Sequence, residues 1–296
     1  MPELSLLIPA RNEMFLAKTI EDALKHIEAD TEIIAVMDGQ WAKPVVPQND
    51  RVNLIYVPEP VGHRAATNLA CKLSKAKYIM KVDAHCSFDQ GFDKKMLDNM
   101  QDDWTMVPVM RNLHAFDWVC EAGHRRYQGP SGPCKECGKP TTRDIKWIGK
   151  TNPQSTSYRF DKNMKFQYFS SYKKKQKGDL VETLSLQGSC FMTTRKKFWE
   201  LDLCEERFGG WGQQGTEVAC KTWLSGGRVI VNKKTWYGHM FRTQGGDFGF
   251  PYSPSGRTLS KARKLSIELF KEGKWDKATR PIQWLIDRFA PVPDWG

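Results

Sequence analysis

Asp83 and His85 stand two residues apart where an apolar run ends, in Lys81-Val82-Asp83-Ala84-His85-Cys86. The run from Tyr78 to Val82 has the composition of a buried strand, so the pair falls at a strand tip. Residues i and i+2 of an extended chain point the same way, and a carboxylate beside an imidazole can grip one divalent ion. A metal at the C-terminal end of a parallel strand is placed to hold a diphosphate. The plainer reading is an aspartate that serves a turn or caps a helix.

A second constellation is independent of the first. Cys120-x3-His124 is followed by Cys134-x2-Cys137, with glycine and proline between. Soft sulfur and nitrogen donors at these spacings match a structural zinc knuckle. The polar loop they span has little apolar content with which to fold, so a metal staple is physically reasonable. Chance clustering is the competing reading. Cys71, Cys86, Cys190, Cys204 and Cys220 fall in regular elements and read as buried thiols. Around the knuckle stand Arg125, Arg126, Lys135, Lys139, Arg143 and Lys146. Lys173, Lys174, Lys175 and Lys177 follow, beside Phe166, Tyr168, Phe169 and Tyr172. Cations interleaved with aromatic rings suit phosphate contacts and base stacking, though a solvated charge run looks the same in sequence.

The elements that must position these groups alternate in type. Leu4–Ile8, Glu32–Met37, Leu54–Val57 and Tyr78–Val82 read as strands. Leu16, Ile20, Ala23, Leu24 and Ile27 form one helical stripe; Ala65, Ala66, Leu69, Ala70 and Leu73 form another. This order implies an α/β fold, a mostly parallel sheet with helices on both faces. Its strand ends bring together Pro9-Ala10-Arg11-Asn12-Glu13, Asp38-Gly39 and Asp83-Ala84-His85. Trp104–Val109 reads as a further strand. Residues 111–180 are polar and weakly periodic, and read as an insertion or long active-site excursion. Helices are expected over Glu217–Leu224, Ser260–Phe270 and Ile282–Phe289, and a strand over Arg228–Val231.

Composition sets the class of partner. Lys and Arg number 45 against 34 Asp and Glu, a net charge of +11 over 296 residues. That excess favours polyanions or phosphate-bearing donors. Met1-Pro2-Glu3-Leu4 enters a strand-like run directly, with no basic segment leading into an apolar core. No stretch approaches the ~20 apolar residues of a membrane span. The expectation is a soluble cytoplasmic protein with no membrane partner, whose 8 cysteines are thiols or metal ligands rather than disulfides.

Several of these stretches carry a family likeness. Ser5 to Glu13 resembles the opening strand and turn of GT-A-fold glycosyltransferases of the family 2 type. Asp83-Ala84-His85-Cys86 is similar to the Asp-x-His of polypeptide N-acetylgalactosaminyltransferases. Phe208-Gly209-Gly210-Trp211-Gly212 with Glu217 resembles their Trp-Gly-Gly-Glu-Asn-x-Glu segment, and Gly238-His239-Met240-Phe241-Arg242 resembles their Gly-His-x-Phe-Arg segment. The resemblance implies a GT-A (Rossmann-like) sheet interrupted by the zinc-knuckle-like region. It divides the chain into a nucleotide-sugar half (1–110), a basic insertion (111–180), an acceptor or catalytic half (181–250) and a C-terminal helical extension (251–296).

It also implies roles. Asp83, His85 and His239 would hold Mn²⁺, or Mg²⁺, at the donor site, and Arg242 would add hydrogen bonds to the phosphates. Asp38 would accept from a uracil N–H, which selects a UDP-sugar. Pro9, Arg11 and Glu13 would line base and ribose, although Asn12 and Glu13 also suit a helix N-terminus. Gly62 and Arg64, with Asn68 further along the same helix, would face phosphate or sugar. Trp211 would shape the sugar pocket or simply pack in the core. Gln214 stands where the family carries a carboxylate. With no acid at that position, a retaining reaction is favoured, in which donor phosphate takes the acceptor's proton. Glu217, Glu205 or Asp247 would supply a base only through a shifted loop. The expected acceptor is a hydroxyl on modified, hydroxymethylated DNA of a viral or bacterial genome. A protein Ser/Thr, a surface glycan, and an inactive nucleic-acid-binding protein are the alternatives.

Overall fold

The computed structural model describes residues 1–242, 249–252 and 256–295. In chain order the elements are β1 (Leu4–Ala10), α1 (Leu16–His26), β2 (Thr31–Asp38), β3 (Val52–Val57), α2 (His63–Leu73), β4 (Tyr78–Val82), β5 (Cys86–Phe88) and α3 (Phe92–Leu97). Then come β6 (Trp104–Cys120), β7 (Arg125–Tyr127), β8 (Thr141–Ser155), β9 (Tyr158–Phe160), β10 (Phe166–Tyr168), β11 (Leu180–Glu182) and β12 (Cys190–Thr194). The last are α4 (Arg195–Glu200), α5 (Gln214–Leu224), β13 (Arg228–His239), α6 (Gly256–Ser266) and α7 (Ile282–Arg288).

One sheet runs β11-β13-β6-β12-β4-β1-β2-β3. Strands β1, β2 and β4 are apolar almost throughout and buried on both faces, as a parallel sheet covered by helices requires. β4, β1, β2 and β3 pair in parallel. Beyond β4 the sheet is mixed rather than mostly parallel, although β13 still pairs with β6 in parallel. β12 lies antiparallel to both β4 and β6, and β11 and β5 lie antiparallel to β13. The sheet is mixed because the chain re-enters it after a long excursion rather than through a short helical crossover, so nothing forces a parallel return.

That excursion is more regular than its sequence suggests. β6 does not stop at Val109 but continues to Cys120, and β8 folds back along it from Met110↔Ser155 to Cys120↔Thr141. The ladder slips between Arg111 and Leu113 and again between His114 and Phe116. Each slip resets the inside–outside alternation, which hides a strand from any reading based on period two. Phe116, Trp118 and Trp147 of this hairpin pack on Phe15 and Met240, joining it to the main body.

Candidate active site

The pairing of β5 with β13 sets Cys86 opposite His239. The Met240 amide donates to the His85 carbonyl at 3.2 Å. Two histidines distant in sequence are thereby held side by side, with ring centroids 4.9 Å apart. On the other flank of Val82, the Asp83 amide donates to Ser189 at 2.8 Å. Donor atoms of Asp83, His85 and His239 all lie within 4.8 Å of one another. His239 Nε2 is 3.2 Å and His85 Nε2 3.9 Å from Asp83 Oδ2.

The orientation of the rings suits a cation. His85 Nδ1 is 2.9 Å from Glu13 Oε2, which leaves Nε2 to face Asp83. A carboxylate behind a ligating imidazole fixes its tautomer and raises its basicity. Burial, partly offset by Asp83, pulls the His239 imidazole down to about 4, so it is neutral at ordinary pH. Burial alone would raise the Asp83 carboxyl; Lys81, His239 and His63 outweigh it and hold the group well below the usual carboxylate range. Two imidazoles beside a carboxylate are the donor set a hard-to-borderline divalent ion takes.

These groups open into a cavity of about 400 Å³. Pro9, Arg11, Glu13, Arg64, Asp83, His85, Trp211, Gln214, His239 and Arg242, all picked out from the sequence, line it. Gly215 lets its far wall form: a Cβ there would stand 2.0 Å from the Leu186 carbonyl oxygen, so only glycine brings the start of α5 against the 186–189 loop.

Other expected residues have different roles. Arg64 is 1% exposed, and its guanidinium is engaged by Glu217 at 2.9 Å and by the carbonyls of Gly209 and Gly212, not aimed at a phosphate. Glu217 is fully buried, and it also meets Lys221 at 3.1 Å and the Glu205 amide at 2.8 Å. Glu205 joins Lys221 and Arg207. Neither glutamate reaches the cavity as a base, and Asp247 lies outside the described residues. Asn68 turns away to the Cys204 carbonyl and Glu206. Asp38 does not line the cavity; its carboxylate accepts from the amides of Val61 (2.7 Å) and Gly62 (3.0 Å) and from the Tyr252 hydroxyl. Glu13 braces His85 and takes a 2.6 Å hydrogen bond from Arg242. It starts no helix, since α1 begins at Leu16 with Phe15 as its uncapped N-cap. Gln214 donates to the Cys204 sulfur.

The sequence reading missed His63, Lys81 and Tyr252. His63 Nε2 is 3.5 Å from Asp83 Oδ1, and burial lowers its pKa to about 4. It opens α2 directly after Gly62, whose φ of 102° requires glycine, and that junction was the available signal.

The second constellation also comes together. Cys120 and His124 flank the β6–β7 turn, and Cys134 and Cys137 the turn before β8. Cys137 Sγ is 3.7 Å from Cys120 Sγ, and Cys134 Sγ is 3.6 Å from His124 Nδ1. A zinc tetrahedron with ~2.3 Å Zn–S bonds has S···S edges of ~3.8 Å, so the spacing fits. Amides of Glu136 and Cys137 directed at the Cys134 sulfur lower its thiol to about 6, which favours the thiolate a metal takes. The other five cysteines are buried and free, as expected.

Residues 5–202 match the model of the glycosyl transferase family 2 domain. The chain belongs to glycosyl transferase family 2. It is similar to polypeptide N-acetylgalactosaminyltransferase 3 of Drosophila melanogaster, at 29% identity over 265 residues, 82% of this chain and 35% of that protein. A putative polypeptide N-acetylgalactosaminyltransferase 13 of the same fly is 24% identical over 285 residues, 89% of this chain and 46% of the relative. The chain thus spans less than half the length of these relatives. The crystal structure of GalNAc-T7 with UDP, GalNAc and Mn²⁺ superposes with a TM-score of 0.67 at 15% identity, covering 97% of this chain and 57% of that one. The fold is therefore GT-A-like. Among the described residues, no helix is long and apolar enough to cross a membrane.

Proposed function

We propose that this family 2 domain transfers a sugar from a UDP-sugar to an acceptor hydroxyl, using a divalent metal. The convergence of Asp83, His85 and His239 at the cavity carries the reading. A Mn²⁺ or Mg²⁺ ion there would neutralise the diphosphate leaving group as a Lewis acid. The chain's residues do the rest. Glu13 orients His85. Pro9 and Arg11 form the nucleotide end, where Asp38 braces the turn at Gly62 from behind, and Trp211, Gln214 and the 186–189 loop form the sugar end. Among the described lining residues, the only carboxylates are Glu13 and Asp83, both engaged as above. Among the described lining residues no free carboxylate then faces the acceptor, which favours retention, with donor phosphate taking the proton. Solubility and a cytoplasmic location are parts of the same reading.

The acceptor we favour is hydroxymethylated DNA. Lys173, Lys174 and Lys175 form an exposed helical turn; Lys173 reaches the Gln154 carbonyl at the base of the hairpin, and Phe166 of the preceding strand β10 lines the cavity. A basic edge suits a polyanion. The relatives' names favour a second reading, a polypeptide hydroxyl. Incubation with UDP-sugars, Mn²⁺ and either hydroxymethylated DNA or peptides decides: a mass gain on nucleosides supports the first reading, one on peptide the second. For a DNA acceptor, reversing Lys173, Lys174 and Lys175 to Glu is expected to weaken DNA binding and flatten its salt dependence while donor hydrolysis persists. Unchanged binding would count against this surface.

The Cys120–His124–Cys134–Cys137 cluster is proposed as a structural zinc site that staples the hairpin tip. The purified protein is expected to contain about one zinc per chain. Cys134→Ser should release it and expose residues 121–140 to protease; a metal-free protein with an equally resistant tip would refute the site.

A further inference from the structure

Lys81 sits in the middle of the sheet, between Leu7 and Phe191 on the neighbouring strands, and is 0% exposed. A strand position flanked by apolar residues is an unfavourable place for an ammonium group unless charge and hydrogen bonds compensate. Its Nζ donates to Asp83 Oδ1 and, at 2.8 Å, to the Gly188 carbonyl, and the side chain contributes to the cavity wall. The candidate metal site therefore contains a fixed positive charge bonded to its only carboxylate ligand. Glu13, behind His85, is held by Arg242. Lys81 with Asp83, and Arg242 with Glu13, cancel in charge. A divalent ion arriving alone meets two imidazoles and a carboxylate already shared with a cation. An ion arriving with a diphosphate brings the negative charge that makes both cations welcome.

From this juxtaposition, and resting on the metal-dependent reading above, we infer that Lys81 couples metal binding to diphosphate binding. It weakens the site for the bare ion and strengthens it for the ion with its nucleotide. Such coupling is reciprocal, so the ion must tighten the nucleotide by the same factor. The charge set also discriminates: a nucleoside diphosphate qualifies as partner, and an uncharged nucleoside does not.

The test is a Mn²⁺ titration followed by electron paramagnetic resonance, with and without UDP, on wild type, Lys81→Met and Lys81→Arg. Wild type should bind Mn²⁺ at least about tenfold more tightly with UDP than without, a coupling of ordinary allosteric size. Lys81→Met should bind bare Mn²⁺ about tenfold more tightly than wild type, and UDP should add less. Lys81→Arg should keep the wild-type pattern. A purely positioning lysine gives the opposite sign, because a loosened Asp83 binds the ion less well. Bare-ion binding by Lys81→Met that is unchanged or weaker overturns the inference; failure of wild type to bind Mn²⁺ under either condition overturns the metal reading beneath it. Lys81→Gln, which keeps a hydrogen-bond donor for Gly188, serves the same comparison if the methionine variant does not fold.

Discussion

Asp83→Asn is expected to lower sugar transfer by about 10³-fold while leaving the protein folded. Charge stabilisation by a metal is worth several kcal/mol, and ~4 kcal/mol corresponds to about three decades in rate. Asparagine keeps an oxygen to accept from Lys81, so the change removes the charge but keeps the hydrogen bond to the buried ammonium. His239→Ala should act similarly through loss of a ligand. A chelator should reproduce both losses in the wild type, and added Mn²⁺ should restore only the wild type. Activity of Asp83→Asn within tenfold of wild type, measured as product formed per minute, would contradict the role assigned to the carboxylate.

Glu217→Ala carries the largest expected effect on stability. Glu217 binds Arg64, Lys221 and the Glu205 amide, and both of its cationic partners are almost fully buried. Truncating it leaves two desolvated cations short of their counter-charge. Breaking a buried pair this way costs about 3–5 kcal/mol. Urea denaturation should show the midpoint falling accordingly. The network also fixes α2 against the 209–212 turn through Arg64, so the variant should lose donor binding before it unfolds. A loss under ~1 kcal/mol would mean the tetrad is better solvated than its geometry implies.

The parts legible in sequence were those whose chemistry is local. Tyr78–Val82 with its Asp-x-His end, the β1 turn and the cysteine spacings each declare themselves within a few residues. Parallel strands buried on both faces read as unbroken apolar runs, and β1, β2 and β4 were placed within a residue or two at most positions. Non-local register was not legible. Nothing in Gly238-His239 alone says that it pairs with Ser87-Cys86, so its place beside His85 came from resemblance rather than from pattern. Arg64 was expected to face phosphate or sugar because it opens a helix after Gly62; its actual partner Glu217 is remote in the chain. Lys81 was read as one more strand residue, although a lysine in a fully buried strand was itself the signal. The hairpin of β6 and β8 was hidden by its two register slips.

The central claim is that a divalent ion held by Asp83, His85 and His239 organises a UDP-sugar in the cavity they border. Anomalous diffraction at the manganese edge, from crystals grown with UDP and Mn²⁺, tests it directly. The account predicts one strong peak within bonding distance of Asp83, His85 Nε2 and His239, bridged to the diphosphate. UDP bound in the cavity with no manganese peak there, or with the ion on other residues, would contradict it.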